Sequence, residues 1–374
     1  MKVLIACGGT GGHLFPGMAV AETMLRRRHQ VRLLVSEKAV DNAALAVLTN
    51  GCGPSAITVQ AVRAVGYSGW RQSIHFCGRL SQAVGDCARV CDEFRPDVVL
   101  GMGGFTSAPA VLAARWHRNG RRALIHESNA VPGKANRWAG KLADHVAVGV
   151  AECAKFFGRK PVTVTGTPIR AGLCAGQIAG AHERLGLRRE RLTVLVMGGS
   201  QGAHAINETV ASALPWLNEW REHTQFVHLS GLHDEAFVRE AYETNGFEAT
   251  VMGFCNQMEL AYSAADLVVA RSGAATLTEV AAFALPAILI PYPLATGDHQ
   301  LHNARVFERA GAAHVIEQSQ LAGLHTTAGE RLAESVEGLL RDEVQRHRMA
   351  SAARSLGVTD AAERIAGLLE QYAH

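Results

Sequence analysis

Four stretches of the chain repeat one pattern of hydrophobic and polar positions. Each begins with a short run of β-branched and other apolar residues, passes through small residues, and ends with apolar positions at helical spacing. This pattern predicts buried parallel strands followed by crossover helices. The stretches are KVLIACGGTGGHLFPGMAVAETML, PDVVLGMGGFTSAPAVLAARW, LTVLVMGGSQGAHAINETVASAL and ADLVVARSGAATLTEVAAFALP. In such sheets ligands bind beyond the carboxyl ends of the strands, where the small residues lie.

Two of these stretches in each half of the chain predict two doubly wound α/β domains that face each other across a cleft. The join falls in TVTGTPIRAG, around Gly166–Arg170, because glycine and proline interrupt both patterns there. We therefore expect an N-terminal domain over residues 1–166 and a second domain over 167–345. The alternative is a single large doubly wound sheet.

Composition narrows the class of protein. The chain has 374 residues, of which 48% are hydrophobic and 19% charged, and this excludes disordered and fibrous proteins. A net charge of +3 is too small to indicate a nucleic-acid partner. The scattered cysteines indicate free thiols in a reducing compartment. No apolar run reaches the ~18 residues that a membrane span needs, so we expect a cytosolic protein.

The first glycine-rich loop, CGGTGGHLFPG, has the features of an anion site, because backbone N–H groups and a helix N-terminus point at its ligand. It does not match the dinucleotide fingerprint, since Leu14 occupies the third glycine position. Glu37, after the second predicted strand, nevertheless keeps an NAD-dependent oxidoreductase open. His13 has two interpretations: a polar residue with a local hydrogen bond, or a general base whose pKa suits proton transfer beside bound phosphate.

The second half carries further candidates for a phosphate and sugar site. Ser200 begins another strand-to-helix turn, where hydroxyl and backbone donors can hold a phosphate. Thr276 and Glu279 form either a capping box or, in the case of Glu279, an acceptor for ribose hydroxyls. Arg170 is either a hinge cation that neutralises a diphosphate or a solvated surface charge. Gln300 orients sugar hydroxyls or caps its own loop.

Seven motifs occur together in an order and spacing found in one family. They are GGTGGHLFPG, GGFTSAP, HESNAVPGKANR, GTPIR, GGSQGA, RSGAATLTE and GDHQLHNA, and they extend over essentially the whole chain. On these motifs the sequence resembles the MurG family, the bacterial UDP-N-acetylglucosamine:lipid-I N-acetylglucosaminyltransferases of peptidoglycan synthesis. The resemblance implies the GT-B fold of two Rossmann-like domains with a cleft between them. It also implies that the last helix, within about 346–374, crosses back to the N-terminal domain.

The resemblance assigns most of the UDP-N-acetylglucosamine site to the second half. Ser200 would hold the UDP phosphates together with the turn of Ala274, Ala275, Thr276, Leu277 and Thr278. Glu279 would bind the ribose, and the backbone of Cys255 the uracil. Gln300 and Asn129 would reach the N-acetylglucosamine. The remaining donor-site residues implied by the resemblance are Thr10, Gly11, Gly12 and Arg170.

The resemblance assigns the first-half loops to the diphosphate of the lipid-linked acceptor. The residues implied are Gly9, Gly103, Gly104, Thr106 and Ser107. His13 then becomes the general base that takes the proton from the muramyl 4-hydroxyl in a single inverting displacement, which gives a β-1,4 linkage. No DxD motif stands beside a predicted strand end, so we expect no tightly bound metal and no other cofactor.

A lipid-linked acceptor requires contact with a membrane surface. Apolar residues stand among arginines in GWRQSIHFCGRL, with Trp70, Ile74 and Phe76, and in RWHRNGRR, with Trp116. Such a mixture suits an anionic bilayer, although core residues with solvated arginines would give the same pattern. We expect peripheral binding at the cytoplasmic face of the bacterial inner membrane. The expected partners are UDP-N-acetylglucosamine, lipid I and other cell-wall synthesis proteins, with no nucleic acid.

Two further alternatives stay open on the sequence. A UDP-sugar epimerase of the same fold would turn over without an acceptor. A nucleotide-sugar-binding module would bind the donor without turnover, and His13 is the residue that argues against it.

Overall fold

The chain divides into two compact units. The computed structural model describes residues 1–8, 11–36, 57–62, 73–116, 121–174, 177–199, 203–321 and 327–373. Unit 1 comprises Met1–Arg170 together with Thr359–His374, and unit 2 comprises Ala171–Val358.

Unit 1 is built on a parallel sheet whose seven described strands lie in the order β3-β2-β1-β4-β5-β6-β7. The strands are β1 Lys2–Ala6, β2 Gln30–Ser36, β3 Ile57–Val62, β4 Val98–Gly101, β5 Arg122–Glu127, β6 His145–Val148 and β7 Val162–Val164. The helices are α1 Gly11–Arg26, α2 Ser73–Phe94, α3 Gly104–Trp116, α4 Lys134–Leu142 and α15 Ala361–Tyr372, with a 3-10 helix at Ala151–Phe157. The order reverses between β1 and β4, which makes that point the switch of the sheet.

Successive residues of each central strand of unit 1 enter opposite cores, which is why the strands are apolar throughout. Leu4 belongs to the cluster packed against α2, α3 and α4. Val3 and Ile5 belong to the cluster packed against α1 and α15. Both faces of the sheet are therefore covered by helices.

Unit 2 repeats the plan with six described strands in the order β10-β9-β8-β11-β12-β13, all parallel. The strands are β8 Leu192–Met197, β9 Thr224–Leu229, β10 Ala249–Met252, β11 Leu267–Ala270, β12 Ala287–Leu289 and β13 Ala313–Val315. The helices are α5 Ala171–Cys174, α6 Ala181–Arg184, α7 His204–Ala213, α8 Glu235–Asn245, α9 Met258–Ala264, α10 Ala274–Ala282, α11 His299–Arg309, α12 Gln318–Leu321, α13 Ala328–Arg341 and α14 Glu343–Leu356, with 3-10 helices at Leu214–Trp220 and Thr296–Asp298. Here the order reverses between β8 and β11.

The join between the units differs from the predicted one by four residues. Gly166 stays in unit 1 because the buried His126 donates from Nε2 to its carbonyl oxygen at 2.9 Å. Arg170 also stays there, since its guanidinium carbon lies 5.1 Å from the centre of the Phe15 ring on α1. Unit 2 therefore begins at Ala171.

The segment that returns to unit 1 is shorter than the predicted 346–374. Helix α14 belongs to unit 2, where Met349 lies in the hydrophobic core. The return starts at Thr359, and α15 buries Leu369 against the sheet of unit 1. Arg27, directly after α1, bonds Glu363 and lies 2.7 Å from Glu370, which fixes α15 along α1.

Candidate active site

The carboxyl ends of β1 and β4 bring two helix N-termini to the switch point of unit 1. Helix α1 begins at Gly11 and helix α3 at Gly104. The first N–H groups of a helix have no acceptor within it, so both termini can bind an anion. Gly9 and Thr10 lie outside the described residues.

His13, in the first turn of α1, packs directly on the glycine turn after β4. A Cβ placed on Gly103 would lie 2.6 Å from His13 Cδ2 and 2.8 Å from Nε2, and one on Gly104 would lie 3.2 Å from Nδ1. Gly103 and Gly104 also have φ values of +104° and +74°, a region that side chains disfavour. The two glycines therefore make room for the imidazole and form its floor.

Thr106 and Ser107, which the resemblance assigns to the acceptor diphosphate, are both fully buried. The Thr106 hydroxyl accepts from Gly8 N at 3.0 Å and donates to Gly8 O at 3.1 Å. The Ser107 hydroxyl accepts from Gly103 N at 2.8 Å and lies 3.1 Å from Ala6 O. These side chains join the two glycine loops to each other, and so set where His13 and its floor lie.

A buried carboxylate that the motif search did not single out organises the loop after β5. Glu127 is 3% exposed. Its Oε1 accepts from the backbone and side-chain nitrogens of Asn129 at 2.9 and 2.8 Å. Its Oε2 accepts from Gly133 N at 3.2 Å and Asn136 Nδ2 at 2.9 Å. Asn129, expected at the donor sugar, is therefore held in place by Glu127.

Asn136 connects this loop to the surroundings of His13. Its Nδ2 donates to His126 O at 3.0 Å and lies 3.2 Å from the Cβ position of Gly103. Its Oδ1 is buried and has no hydrogen-bond partner among the described residues. The motif HESNAVPGKANR contains both Glu127 and Asn136, so the sequence did mark this segment. Their spacing alone did not show that the two side chains are buried together.

Burial shifts the pKa values of His126 and Glu22 in unit 1. Burial lowers the pKa of His126, although its hydrogen bond to Gly166 and the charge of Glu127 act against this effect. Because His126 donates to the Gly166 carbonyl, its Nε2 carries a proton. Burial raises the pKa of Glu22, although Arg170 and Arg26 act against this effect. Arg170, expected at the donor diphosphate, lies against Phe15 and near Glu22.

In unit 2, the switch point lies where α10 follows β11. Ser200 in the neighbouring loop lies outside the described residues. Helix α10 begins at Ala274 with Gly273 as its N-cap, so Thr276 lies inside the helix and the capping-box alternative is wrong. The N–H groups of residues 274–276 are the ones that a helix leaves without an intrahelical partner.

The two last residues of the predicted phosphate turn, Leu277 and Thr278, make hydrogen bonds within α10. Leu277 donates its N–H to Gly273 O at 3.0 Å, and its side chain is 4% exposed. The Thr278 hydroxyl donates to Ala274 O at 2.8 Å. The helix therefore uses the donor groups of both residues internally, and its open end consists of Ala274, Ala275 and Thr276.

Glu279 lies on the second turn of α10, where a tyrosine orients it. The hydroxyl of the buried Tyr262, on α9, donates to Glu279 Oε2 at 2.7 Å. The Tyr262 ring stacks on Phe283, with 5.2 Å between ring centres. Sequence reasoning did not identify Tyr262, because α9 is separate from every glycine motif.

The loop before α11 brings Gln300 close to the same helix start. Gln300 Oε1 accepts from Tyr292 N at 3.0 Å, and Gln300 O accepts from the Ser272 hydroxyl at 2.8 Å. Its side-chain oxygen therefore holds the loop that precedes α11. Cys255 is half-buried at the carboxyl end of β10, at the same edge of the sheet.

A chain of hydrogen bonds supports the start of α7. Asp234 Oδ2 lies 3.0 Å from His204 Nδ1 and 2.7 Å from Asn207 Nδ2. Asn207 Oδ1 lies 3.0 Å from His228 Nε2, and His228 Nδ1 lies 3.0 Å from the Tyr242 hydroxyl. Burial lowers the pKa of His228 to about 3. The network ties the helix that follows the GGSQGA loop to β9 and α8.

The remaining predicted residues concern membranes and metals. Trp116 is 73% exposed, Trp70 lies outside the described residues, and only the backbone is described for Ile74 and Phe76. In the described ranges, no helix combines the length and apolar character needed to cross a bilayer. Nor do any three His, Cys, Asp or Glu side chains of those ranges group so as to hold a metal ion.

Two doubly wound parallel sheets, each with helix N-termini at its switch point, define a two-domain α/β protein of the GT-B class. The chain belongs to glycosyltransferase family 28. The family's N-terminal domain matches residues 3–148, and its C-terminal domain matches residues 193–365. The protein is therefore a glycosyltransferase, and the epimerase and oxidoreductase alternatives are not favoured.

Relatives of similar length carry one name, UDP-N-acetylglucosamine--N-acetylmuramyl-(pentapeptide) pyrophosphoryl-undecaprenol N-acetylglucosamine transferase. One from Syntrophus aciditrophicus (strain SB) is 38% identical over 98% of this chain and 97% of its own. One from Geobacter sulfurreducens is 39% identical over 98% and 97%, respectively.

Solved structures share the fold. Acinetobacter baumannii MurG has a TM-score of 0.77 and 27% identity, with 99% of both chains covered. A Neisseria meningitidis UDP-GlcNAc 2-epimerase bound to UDP-GlcNAc has a TM-score of 0.66 at 14% identity, with 99% of this chain and 100% of its own covered. At 14% identity, the similarity to the epimerase shows a shared fold alone.

Proposed function

We propose that this glycosyltransferase moves N-acetylglucosamine from UDP-N-acetylglucosamine to the 4-hydroxyl of the N-acetylmuramyl group in lipid I. The relatives' names supply this donor and this acceptor. The observation that carries the mechanism is the position of His13, an imidazole seated on two glycines beside the N-termini of α1 and α3. Such a position suits a base that works next to a bound diphosphate.

The reaction is a single displacement with inversion. The acceptor oxygen forms a bond to the anomeric carbon, and the bond from that carbon to the diphosphate oxygen breaks, with its electron pair leaving on UDP. The acceptor proton passes to His13. Attack from the face opposite UDP gives the β-1,4 linkage.

Two parts of the protein stabilise this transition state. The leaving diphosphate gains negative charge, and the open N–H groups at the start of α10 are suited to receive it. Preorganised donors of this kind are worth ~3–4 kcal/mol each, by analogy with oxyanion holes. General base catalysis by His13 adds about 10²–10⁴-fold in rate. The bond from Tyr262 orients the Glu279 carboxylate, which we expect to accept from the ribose hydroxyls.

The test is sugar transfer from UDP-N-acetylglucosamine to a water-soluble lipid I analogue. His13→Ala should lower kcat by about 10²–10⁴-fold, while the Kd for UDP-N-acetylglucosamine, measured by calorimetry, should stay within about threefold. His347→Ala, an exposed site on α14, is the matched control. Near-normal kcat of His13→Ala at saturating acceptor would exclude His13 as the base. Donor epimerisation without acceptor would favour the epimerase.

We also propose that catalysis requires no tightly bound metal, because helix N-termini can neutralise the diphosphate. Transfer should persist after exhaustive chelation. Complete loss of activity that added divalent cations restore would refute this proposal.

We further propose that the protein binds peripherally at the cytoplasmic face of the inner membrane, because its acceptor is lipid-linked. Several arginines around Trp116 are not free to bind lipid phosphates. Arg115 and Arg122 pair with Asp144 at 3.3 and 3.1 Å, and Nη1 of Arg121 is buried. Binding to anionic but not neutral liposomes is expected, and binding to neither would refute it.

A further inference from the structure

An exposed aromatic ring lies at the carboxyl end of β12 in unit 2. Tyr292 follows this strand by three residues and is 43% exposed. Because β11 and β12 are parallel neighbours, their carboxyl ends meet at one edge of the sheet, where α10 begins. Doubly wound sheets bind their ligands at this edge. The mechanism described so far gives Tyr292 no role.

The backbone of Tyr292 is tied to the residue expected at the donor sugar. Its N–H donates to Gln300 Oε1 at 3.0 Å. The Gln300 carbonyl oxygen accepts from the Ser272 hydroxyl at 2.8 Å, and Ser272 directly precedes Gly273, the N-cap of α10. Asn303 Nδ2 donates to Ser272 O at 3.2 Å. A short chain of hydrogen bonds therefore joins Tyr292 to the helix N-terminus that we expect to receive the diphosphate.

A buried arginine covers one face of the Tyr292 ring. The Arg271 guanidinium carbon lies over this ring, 5.4 Å from its centre, at a distance where cation and ring attract each other. Nη1 of Arg271 donates to Ile290 O at 3.0 Å and to Pro291 O at 3.2 Å, the two residues that precede the tyrosine. Arg271 itself is 7% exposed. The inner face of the ring is therefore occupied, and its exposed area lies on the opposite face and the rim.

A flat ring that is fixed from behind and open in front suits the face of a pyranose. The C–H groups on a face of the sugar ring form an apolar surface, and packing this surface on an aromatic ring removes both from water. A diphosphate has no such surface. Leu294, two residues further along the same loop, is more exposed at 79%, but its branched side chain offers no flat face.

We propose that Tyr292 packs on the N-acetylglucosamine ring of the donor and supplies affinity that UDP alone does not receive. The proposal rests on the proposed function, in which the donor sugar is expected beside Gln300. The uracil and the ribose are expected at Cys255 and Glu279, so the Tyr292 ring acts on the sugar and not on the nucleoside. The product UDP lacks the sugar, so its release is not slowed by this contact.

The test compares calorimetric Kd values for UDP-N-acetylglucosamine and for UDP. Tyr292→Ala should weaken binding of UDP-N-acetylglucosamine roughly tenfold. The Kd for UDP should stay within about twofold of the wild type. Tyr292→Phe keeps the ring and should bind both ligands as the wild type does, whereas Tyr292→Leu keeps apolar bulk without a flat face and should resemble Tyr292→Ala. Leu294→Ala is the matched control and should leave both Kd values unchanged.

A second comparison separates direct packing from displacement of Gln300. In a Gln300→Ala background, Tyr292→Ala should again weaken binding of UDP-N-acetylglucosamine roughly tenfold, because separate contacts with one ligand add approximately. A loss that disappears in that background would mean that Tyr292 acts only through Gln300, and this would overturn the proposal. Unchanged binding by Tyr292→Ala, an equal loss for UDP, or wild-type affinity in Tyr292→Leu would also overturn it.

Failure of the proposed function gives a different result. The Kd comparison uses no acceptor, whereas transfer by the wild type to the water-soluble lipid I analogue tests the reaction itself. A wild type that transfers the sugar while Tyr292→Ala keeps its Kd would contradict the role of Tyr292 alone. A wild type that does not bind UDP-N-acetylglucosamine would contradict both proposals.

Discussion

Alanine at position 103 tests whether the turn after β4 positions His13. Gly103 has φ +104°, and an L-residue held in such a region is strained by about 1–3 kcal/mol. The new Cβ would lie 2.6 Å from His13 Cδ2 and 2.8 Å from Nε2, whereas ordinary contact begins at 3.4 Å. The imidazole must therefore retreat by about 0.6–0.8 Å. Because a 1 Å misplacement can lower a rate ~10²-fold, we expect kcat to fall by roughly that factor.

The assay separates strain from displacement. Gly186 has φ +70° with nothing near its Cβ position, so Gly186→Ala introduces strain without moving His13. Urea unfolding should show a loss of about 1–3 kcal/mol in both variants, and only Gly103→Ala should lose kcat. In a His13→Ala background the Gly103→Ala change should lower kcat little further, since its target is gone. Equal kcat in the two alanine variants would refute the reasoning, as would the same loss with and without His13.

Three further predictions follow from single contacts. Thr106→Val leaves the buried Gly8 N–H and carbonyl without their partner, so the free energy of unfolding in urea should fall by about 1–3 kcal/mol. Thr106→Ser keeps the hydroxyl and should have the stability of the wild type. An unchanged free energy of unfolding for Thr106→Val would contradict these hydrogen bonds. Tyr262→Phe removes the bond to Glu279, so the calorimetric Kd for UDP-N-acetylglucosamine should rise roughly tenfold; an unchanged Kd would mean that the bond does not orient the carboxylate for the ribose. His228 has a pKa of about 3 in the folded chain and about 6.5 in the unfolded chain, so the unfolded state binds more protons between these values. The free energy of unfolding should therefore fall as pH falls below about 6.5, by up to ~1.4 kcal/mol per pH unit. In urea titrations between pH 6 and ~4, His228→Gln should lack this part of the pH dependence. An equal pH dependence in both proteins would refute the assignment.

The strands, the helices that follow them and the anion-binding turns were predictable from the sequence because each depends on local pattern. An apolar run such as VLIA can be buried on both faces only in a covered parallel sheet. Glycines at positions 103 and 104 meet the positive φ values of the turn. The seven motifs in order then identified the family, which the matches to both domains confirm.

Which polar groups are buried, and which partners they bond, was decided only by the tertiary structure. Thr106 and Gly8 are 98 positions apart in sequence, and they bond because β1 and β4 lie side by side in a particular register. In that register the Thr106 hydroxyl links the two glycine loops. Glu127 is a second example: the sequence predicted no role for its carboxylate, yet it is the centre of a buried hydrogen-bond network.

The sequence by itself therefore determined the two-domain α/β architecture, the family and His13 as the candidate base. Only the tertiary structure decided the exact join at Arg170, the return of the chain from Thr359, and the packing of Arg271 against the Tyr292 ring. The physical reason is the separation in sequence over which each effect acts. Periodicity and glycine turns act over a few residues, whereas the burial of a hydroxyl, the pairing of an arginine and the packing of the last helix depend on residues far apart in the chain.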